Sequence, residues 1–184
     1  RINLKKRDLS QIFLELDQIN VKSLLEIWPR NFNESVYYWM NENSDGKVSK
    51  FILSSTIFNE SLNIEFNNVK GKFNFSETEI KYMESMPSII GIEGNAKIED
   101  DKIFFYISTG KSENLVIKDG TVKLYDLITD VEKSNVNLLI SSKNQDVINY
   151  LNYSPINKKS YAKLKNIKGN TLVDLELDFP LIID

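Results

Sequence analysis

One segment of the chain resembles the end of a phosphate-binding loop. Thr109-Gly110-Lys111-Ser112 has the glycine, lysine and hydroxyl residue of that loop in the right order. The complete motif also needs a glycine five residues before Gly110, and Phe105 stands there. Apolar β-type residues follow instead of a helix, so we predict a plain β-turn here and no nucleotide site.

Three acidic residues could bind a cation. Asp174, Glu176 and Asp178 alternate along one predicted strand, which places successive carboxylates about 7 Å apart, too wide for one calcium shell. The chain has no Cys and no His, which excludes thiol nucleophiles and metal sites built from these residues. We therefore predict that the protein is not an enzyme and has no cofactor and no metal.

The composition is that of a globular protein. The 184 residues are 41% hydrophobic and 27% charged, with a net charge of −3. This balance provides no basic surface for nucleic acid. No apolar run reaches the roughly 20 residues that span a bilayer. The length fits one domain or a piece of a longer repetitive protein, and we expect any membrane contact to come from parts outside this sequence.

Apolar and polar residues alternate along most of the chain. Val173, Leu175, Leu177 and Phe179 fall on one face of a predicted strand, and acidic residues fall on the other. Since a period of two places every second side chain on one face, this pattern predicts strands that are each apolar on one side. About ten such strands are predicted between residues 47 and 179.

Helices and turns are predicted at a few places. Residues 8–27 have partly helical spacing, a short helix precedes Gly46, and Asn144 is a possible cap for a helix that ends before Pro155. Asp100-Asp101 and Asp119-Gly120 each predict a hairpin turn. The chain then divides into a helical lead-in segment, residues 1–45, and a β-rich segment, residues 46–184.

These elements predict a mainly β (α+β) fold. We expect a strongly curved, mostly antiparallel sheet that forms an open apolar groove or half-barrel, with two or three short helices. Two or three short helices do not cover ten apolar strand faces. The sheet must therefore close on itself, pair with another chain or hold something apolar. The alternative to a groove is a closed β-sandwich that acts as a protein-interaction or adhesion module without lipid.

The order of several landmarks over residues 25–183 resembles the AsmA-like proteins of the YhdP type. These landmarks are Trp28-Pro29, Trp39, Gly46-Lys47-Val48, Val69-x-Gly71-x-Phe73, Ile90-Gly91-Ile92, Gly94-x-Ala96, Ile117-x-Asp119-Gly120, Asp146-Val147-Ile148-x-Tyr150-Leu151, Pro155, Gly169 and Phe179-Pro180-Leu181. The resemblance implies a periplasmic protein anchored to the inner membrane through a segment absent from this sequence. It also implies a β-groove along which phospholipids move toward the outer membrane.

The resemblance and the alternating pattern together predict how the protein acts. Acyl chains would lie on the apolar side of the sheet, while head groups stay at its open edge in water. The partners are then phospholipid and neighbouring β-segments of the same longer chain. The predicted lining residues are Ile64, Phe66, Phe73, Phe75, Ile90, Ile92, Ile98, Phe105, Ile117, Leu124, Leu138, Ile140, Leu175 and Leu177.

Overall fold

One antiparallel sheet of ten strands dominates the computed structural model, which describes residues 2–3, 9–26, 34–58, 63–64, 68–127, 129, 131–155 and 166–181. The strands are β1 (Ile2–Asn3), β2 (Leu9–Asn20), β3 (Ser44–Phe58), β4 (Asn63–Ile64), β5 (Lys70–Ile80), β6 (Ile89–Glu99), β7 (Lys102–Ser112), β8 (Leu115–Tyr125), β9 (Lys133–Lys143) and β10 (Asn170–Pro180). The helices are α1 (Val21–Glu26), α2 (Glu34–Asn43) and α3 (Asn144–Leu151).

The sheet is an open meander. Its order is β1-β2-β3-β5-β6-β7-β8-β9-β10, with β4 paired to β3, and each pair is antiparallel. Among the described residues, β10 at one end does not pair with β1 or β2 at the other. The predicted mainly β, antiparallel and open fold is confirmed, and the closed sandwich is not what these strands form.

Apolar side chains share one side of this sheet, which we call the inner face. The register shows this clearly, because partners on neighbouring strands form continuous rows across the sheet. One such row consists of Val48, Phe75, Gly94, Ile107, Gly120, Leu138 and Leu175. A second row consists of Phe73, Ala96, Phe105, Val122, Val136 and Leu177.

A line of irregularities crosses the sheet beside the row that contains Phe75. The register shifts between Asp45 and Lys47 on β3, and between Phe75 and Thr78 on β5. Similar shifts lie in β6 and β8 at the same level. Since a bulge bends its strand, shifts that line up across strands fold the sheet along that line. The inner face becomes a trough whose axis runs across the strands.

Left-handed backbone conformations occur along this line. Gly46 and Gly91 have φ of 139° and 59°, and Glu77 has φ of 51°. Glycine adopts such values without the steric penalty that other residues incur. The two glycines therefore allow β3 and β6 to bend there.

The three helices lie at the same ends of the strands. The α1 and α2 helices connect the end of β2 to the start of β3, and α3 connects β9 to β10. The opposite side of the trough carries the turn at Asp100-Asp101, which joins β6 to β7 as predicted. The trough thus has one helical rim and one rim made of turns.

The prediction of helix for residues 8–27 is wrong for most of that segment. Leu9–Asn20 is strand β2, and it pairs with β3 along its length. Ile12, Leu14 and Leu16 fit a strand as well as a helix, and pairing with β3 decides between the two periods. Only α1 is helical there. The division of the chain at residue 45 stays a prediction, although β2 and β3 pair across it.

Two further local predictions are wrong. Asp119-Gly120 is not a turn, because β8 runs through it and Gly120 lies opposite Leu138. A Cβ atom at Gly120 would lie 2.5 Å from Leu138 Cδ2, so this glycine serves close packing. Asn144 does not cap α3: it is the first helical residue, and its side-chain amide donates to the Lys168 carbonyl oxygen.

Candidate functional site

The inner face from β5 to β10 is without charge. Each described side chain that the register places there is apolar, a glycine, Ser or Thr. Its best-buried members form a central cluster, which consists of Phe75, Ile92, Ala96, Ile107, Ile117 and Leu138. Among the described residues, no helix residue belongs to this cluster or to the apolar side chains packed against it. The sheet itself therefore builds this apolar surface.

Three phenylalanine rings meet above the smallest residues of the trough. Phe105 on β7 lies 6.2 Å from Phe73 and 6.1 Å from Phe75, measured between ring centroids, although β6 separates β5 from β7. Strands two positions apart are about 9.6 Å apart in a flat sheet. The rings close this gap because Gly94 and Ala96 lie between them in the register and because the sheet bends toward the inner face.

Gly94 is required by this packing. A Cβ atom there would lie 2.0 Å from the Tyr106 carbonyl oxygen and 2.7 Å from Phe75 Cζ. Since atoms do not approach so closely, only glycine fits between the β7 backbone and the ring. Gly94 and Ala96 thus set how far the aromatic rings lean over the trough.

A more accessible row of apolar side chains runs beside the central cluster. We call it the stripe, and it consists of Phe73, Phe105, Val122, Val136 and Leu177. The first four are half-buried, and Leu177 on β10 is 44% exposed. On the same strand Phe179 is 41% exposed. Apolar surface is thus available along the trough and increases toward the β10 edge.

Most of the predicted lining residues lie together on the inner face. Phe75, Ile92, Ile98, Ile117 and Leu138 are buried there, and the residues that pack against them include Phe73, Phe105, Leu124, Ile140 and Leu175. Leu177 lies at the exposed end of the stripe. Whether these residues bind lipid stays a prediction.

Three predicted lining residues are not among these inner-face residues. Ile90 is 47% exposed, and Ile89 packs against the central cluster in its place. The left-handed turn at Gly91 shifts the alternation of β6 and brings Ile89 and Ile92 to the same side. Ile64 lies on β4, opposite Ile57, but its side chain is not described. Phe66 lies outside the described residues.

Several inner-face residues are absent from the predicted lining. Ile107 continues the alternation of Ile103 and Phe105, so the pattern contains it. Val122 shares the alternation of Leu124, so the pattern contains it as well. Phe51 lies beside a register shift in β3, and that shift has no clear signal in the sequence.

The outer face of the sheet is polar and charged. Lys123 lies with its Nζ atom 4.7 Å from the centroid of the Tyr125 ring, and the Tyr125 hydroxyl donates to Asp178. Along β10, Asp174 and Glu176 are also exposed. Among the described residues no group of three acidic side chains lies close enough to hold a metal ion. This face offers a solvated surface.

A hydrogen-bonded cluster ties the helical rim to the sheet. The Tyr150 hydroxyl on α3 lies 2.6 Å from the Tyr82 hydroxyl and 3.0 Å from Ser112 Oγ. Ser112, at the end of β7, also donates to the Pro87 and Ser88 carbonyl oxygens. The β-turn predicted at residues 109–112 is wrong, because this segment is the end of β7 and closes with the buried Ser112. Burial and the bond to Tyr150 raise the pKa of Tyr82 well above its usual value.

Comparison with known proteins identifies the family. No curated protein and no solved structure matches the chain. In the described part of the chain, no helix has the length and apolar character needed to cross a membrane. The model of one family, described as YhdP protein, matches residues 2–182. Since this match covers nearly the whole sequence, the chain belongs to the YhdP family.

Proposed function

We propose that the trough binds phospholipid acyl chains and conducts them across the strands. Above all, the inner face from β5 to β10 is uncharged and apolar, its stripe is half-buried to exposed, and no helix residue of the described part belongs to its central cluster. Membership of the YhdP family supports a role in lipid transport.

The dimensions of the trough suit one acyl chain. Six strands from β5 to β10 span five spacings, or about 24 Å across the sheet. The hydrocarbon core of a bilayer is about 30 Å thick, so chains of one leaflet extend about 15 Å. A chain that lies along the stripe therefore fits within this segment. Its head group remains at a rim, where water solvates the charge.

Binding of this kind needs no polar contact in the trough. Each methylene group that leaves water contributes about 0.8 kcal/mol, so six buried methylenes supply about 5 kcal/mol. Such a surface holds a chain at many equivalent positions, which allows it to slide.

We further propose that this segment works as part of a longer chain. Neighbouring β-segments would continue the groove beyond it, and an inner-membrane anchor outside this sequence would hold the protein in the periplasm. Lipid would then pass toward the outer membrane.

Mass spectrometry of an organic extract from the purified protein tests lipid binding. A mock purification and an unrelated soluble protein give the background. We expect stoichiometric phospholipid from this protein alone. Background lipid from a folded, monomeric sample would contradict the proposal.

Two leucines of β10 provide a matched pair for the same assay. Leu177 ends the stripe on the inner face, whereas Leu172 lies on the outer face and is 62% exposed. Leu177→Asp should reduce the bound phospholipid, because a carboxylate next to the acyl chain would have to lose water. Leu172→Asp should leave it unchanged. Equal loss in both variants would contradict a site on the inner face.

A further inference from the structure

The α1 helix lies on the inner face at the β2–β3 end of the trough. Its Val21, Leu24 and Leu25 are buried, and Leu25 is only 2% exposed. They form one cluster with Val48 and Phe51 of β3. The helix thus covers the apolar side of β3.

The surface under α1 continues the proposed lipid-binding surface. Val48 pairs directly with Phe75 of the central cluster. The Phe51 ring lies 5.8 Å from the Phe73 ring, at the start of the stripe. The apolar floor of the trough therefore continues from β5 into β3. The difference is that α1 covers this floor over β3.

We propose that α1 is an end stop for the bound acyl chain. Over Val48 and Phe51, α1 occupies the place that the acyl chain takes over β5 to β10. Leu25 is then the residue that sets where a bound chain ends, at Phe73. This inference rests on the proposed lipid-binding function. It predicts a lipid-binding segment with one blocked end at β3 and one open end at β10.

The α1 helix has properties that suit a displaceable stop. It has six residues, and a helix this short is not stable without tertiary packing. Besides its apolar contacts, Lys22 Nζ donates to the Asn41 carbonyl oxygen of α2. A charge at Leu25 should therefore release the helix from the inner face, because a buried carboxylate without a partner is strongly unfavourable.

Photocrosslinking tests the stop. The protein is incubated with vesicles of a phosphatidylethanolamine that carries a diazirine near the end of one acyl chain. After irradiation, labelled peptides are mapped by mass spectrometry. In the unmodified protein we expect label on β7 around Phe105 and none on β3 around Val48 and Phe51. Leu25→Asp should add label on β3, several-fold above the unmodified protein, and keep the label on β7.

Control variants complete the experiment. Glu26→Gln changes an exposed residue of α1 and should leave β3 unlabelled. Leu25→Ala removes apolar contacts without adding a charge, so it should give a smaller gain of label on β3. It takes the place of the aspartate variant if that variant does not fold. Label on β3 in the unmodified protein, or no gain in a folded Leu25 variant that is labelled on β7, would overturn the stop. Absence of label everywhere would refute lipid binding itself, and the stop with it.

Discussion

Gly94 provides the sharpest test of the way the trough is packed. We expect Gly94→Ala to be strongly destabilising, because the new methyl group would lie 2.0 Å from the Tyr106 carbonyl oxygen. That oxygen belongs to the backbone of β7 and does not rotate away, so β6 and β7 must move apart. Overpacking of this kind costs about 1–3 kcal/mol, and each ladder hydrogen bond lost adds about 1 kcal/mol.

Gly110 is the matched control for this change. It also faces inward, but a Cβ atom there would lie 3.2 Å from Ile117 Cδ1, the flexible end of a side chain. Replacing a strand glycine by alanine also gains about 0.5–1 kcal/mol of backbone entropy. Gly110→Ala should therefore change the free energy of unfolding by less than about 1 kcal/mol, against a loss of about 3 kcal/mol for Gly94→Ala.

Urea unfolding followed by circular dichroism measures both variants. For a chain of this size, 3 kcal/mol corresponds to a fall in Tm of about 6–12 °C. The comparison is valid when both variants unfold with the same dependence on urea concentration. Equal stability of the two variants would refute the close approach of β7 and Phe75 at Gly94, and with it the bend between β5 and β7.

Three further predictions concern stability. Leu138→Asn should lower the free energy of unfolding by about 3–5 kcal/mol, because it buries an amide and removes apolar contacts. Leu139→Asn on the outer face should lower it by less than about 1.5 kcal/mol. Similar urea midpoints for the two variants would contradict the assignment of faces. The pKa of Tyr82 is raised in the folded protein, so above about pH 10 the unfolded chain loses this proton first and the stabilisation from neutral Tyr82 falls. The Tm advantage over Tyr82→Phe should therefore shrink between about pH 10 and 11. A constant advantage would refute this. Lys47→Ala breaks a solvent-exposed ion pair with Glu77 and should change stability by under about 1 kcal/mol in the same urea assay, so a larger loss would show that the pair holds the bend.

The alternating pattern predicts most of the strands from β5 to β10, because a period of two is direct evidence for one apolar face. Strand β10 illustrates this: its predicted inner residues, from Val173 to Phe179, all lie on the same side in the structure. The open antiparallel sheet followed from the same pattern and from the lack of helices. Most of the predicted lining residues lie on the inner face for this reason.

The sequence did not reveal where pairing overrides local preference. In β2, helical and strand periods coincide over Leu9 to Leu16, and only the partner strand β3 decides between them. Ile90 was assigned to the wrong side because the turn at Gly91 shifts the alternation by one residue. Such shifts depend on neighbouring strands, which a short window of sequence does not contain.

These shifts also explain how the sheet forms a trough. On β5 the inner residues are odd-numbered up to Phe75 and even-numbered from Thr78. On β8 they change in the same way, from Ile117 to Gly120. A straight strand with this sequence would turn half of its apolar residues toward water, so the bulge that corrects the change must also bend the strand.

Strands β9 and β10 lack this change of phase. The inner residues of β9 are even-numbered throughout, and those of β10 are odd-numbered throughout, and the two strands pair without a register shift. The sheet therefore loses the line of bulges at the edge where Leu177 and Phe179 become exposed. The same alternation that buries the centre of the trough leaves its β10 end open, which is where a chain sliding along the stripe would leave or enter this segment.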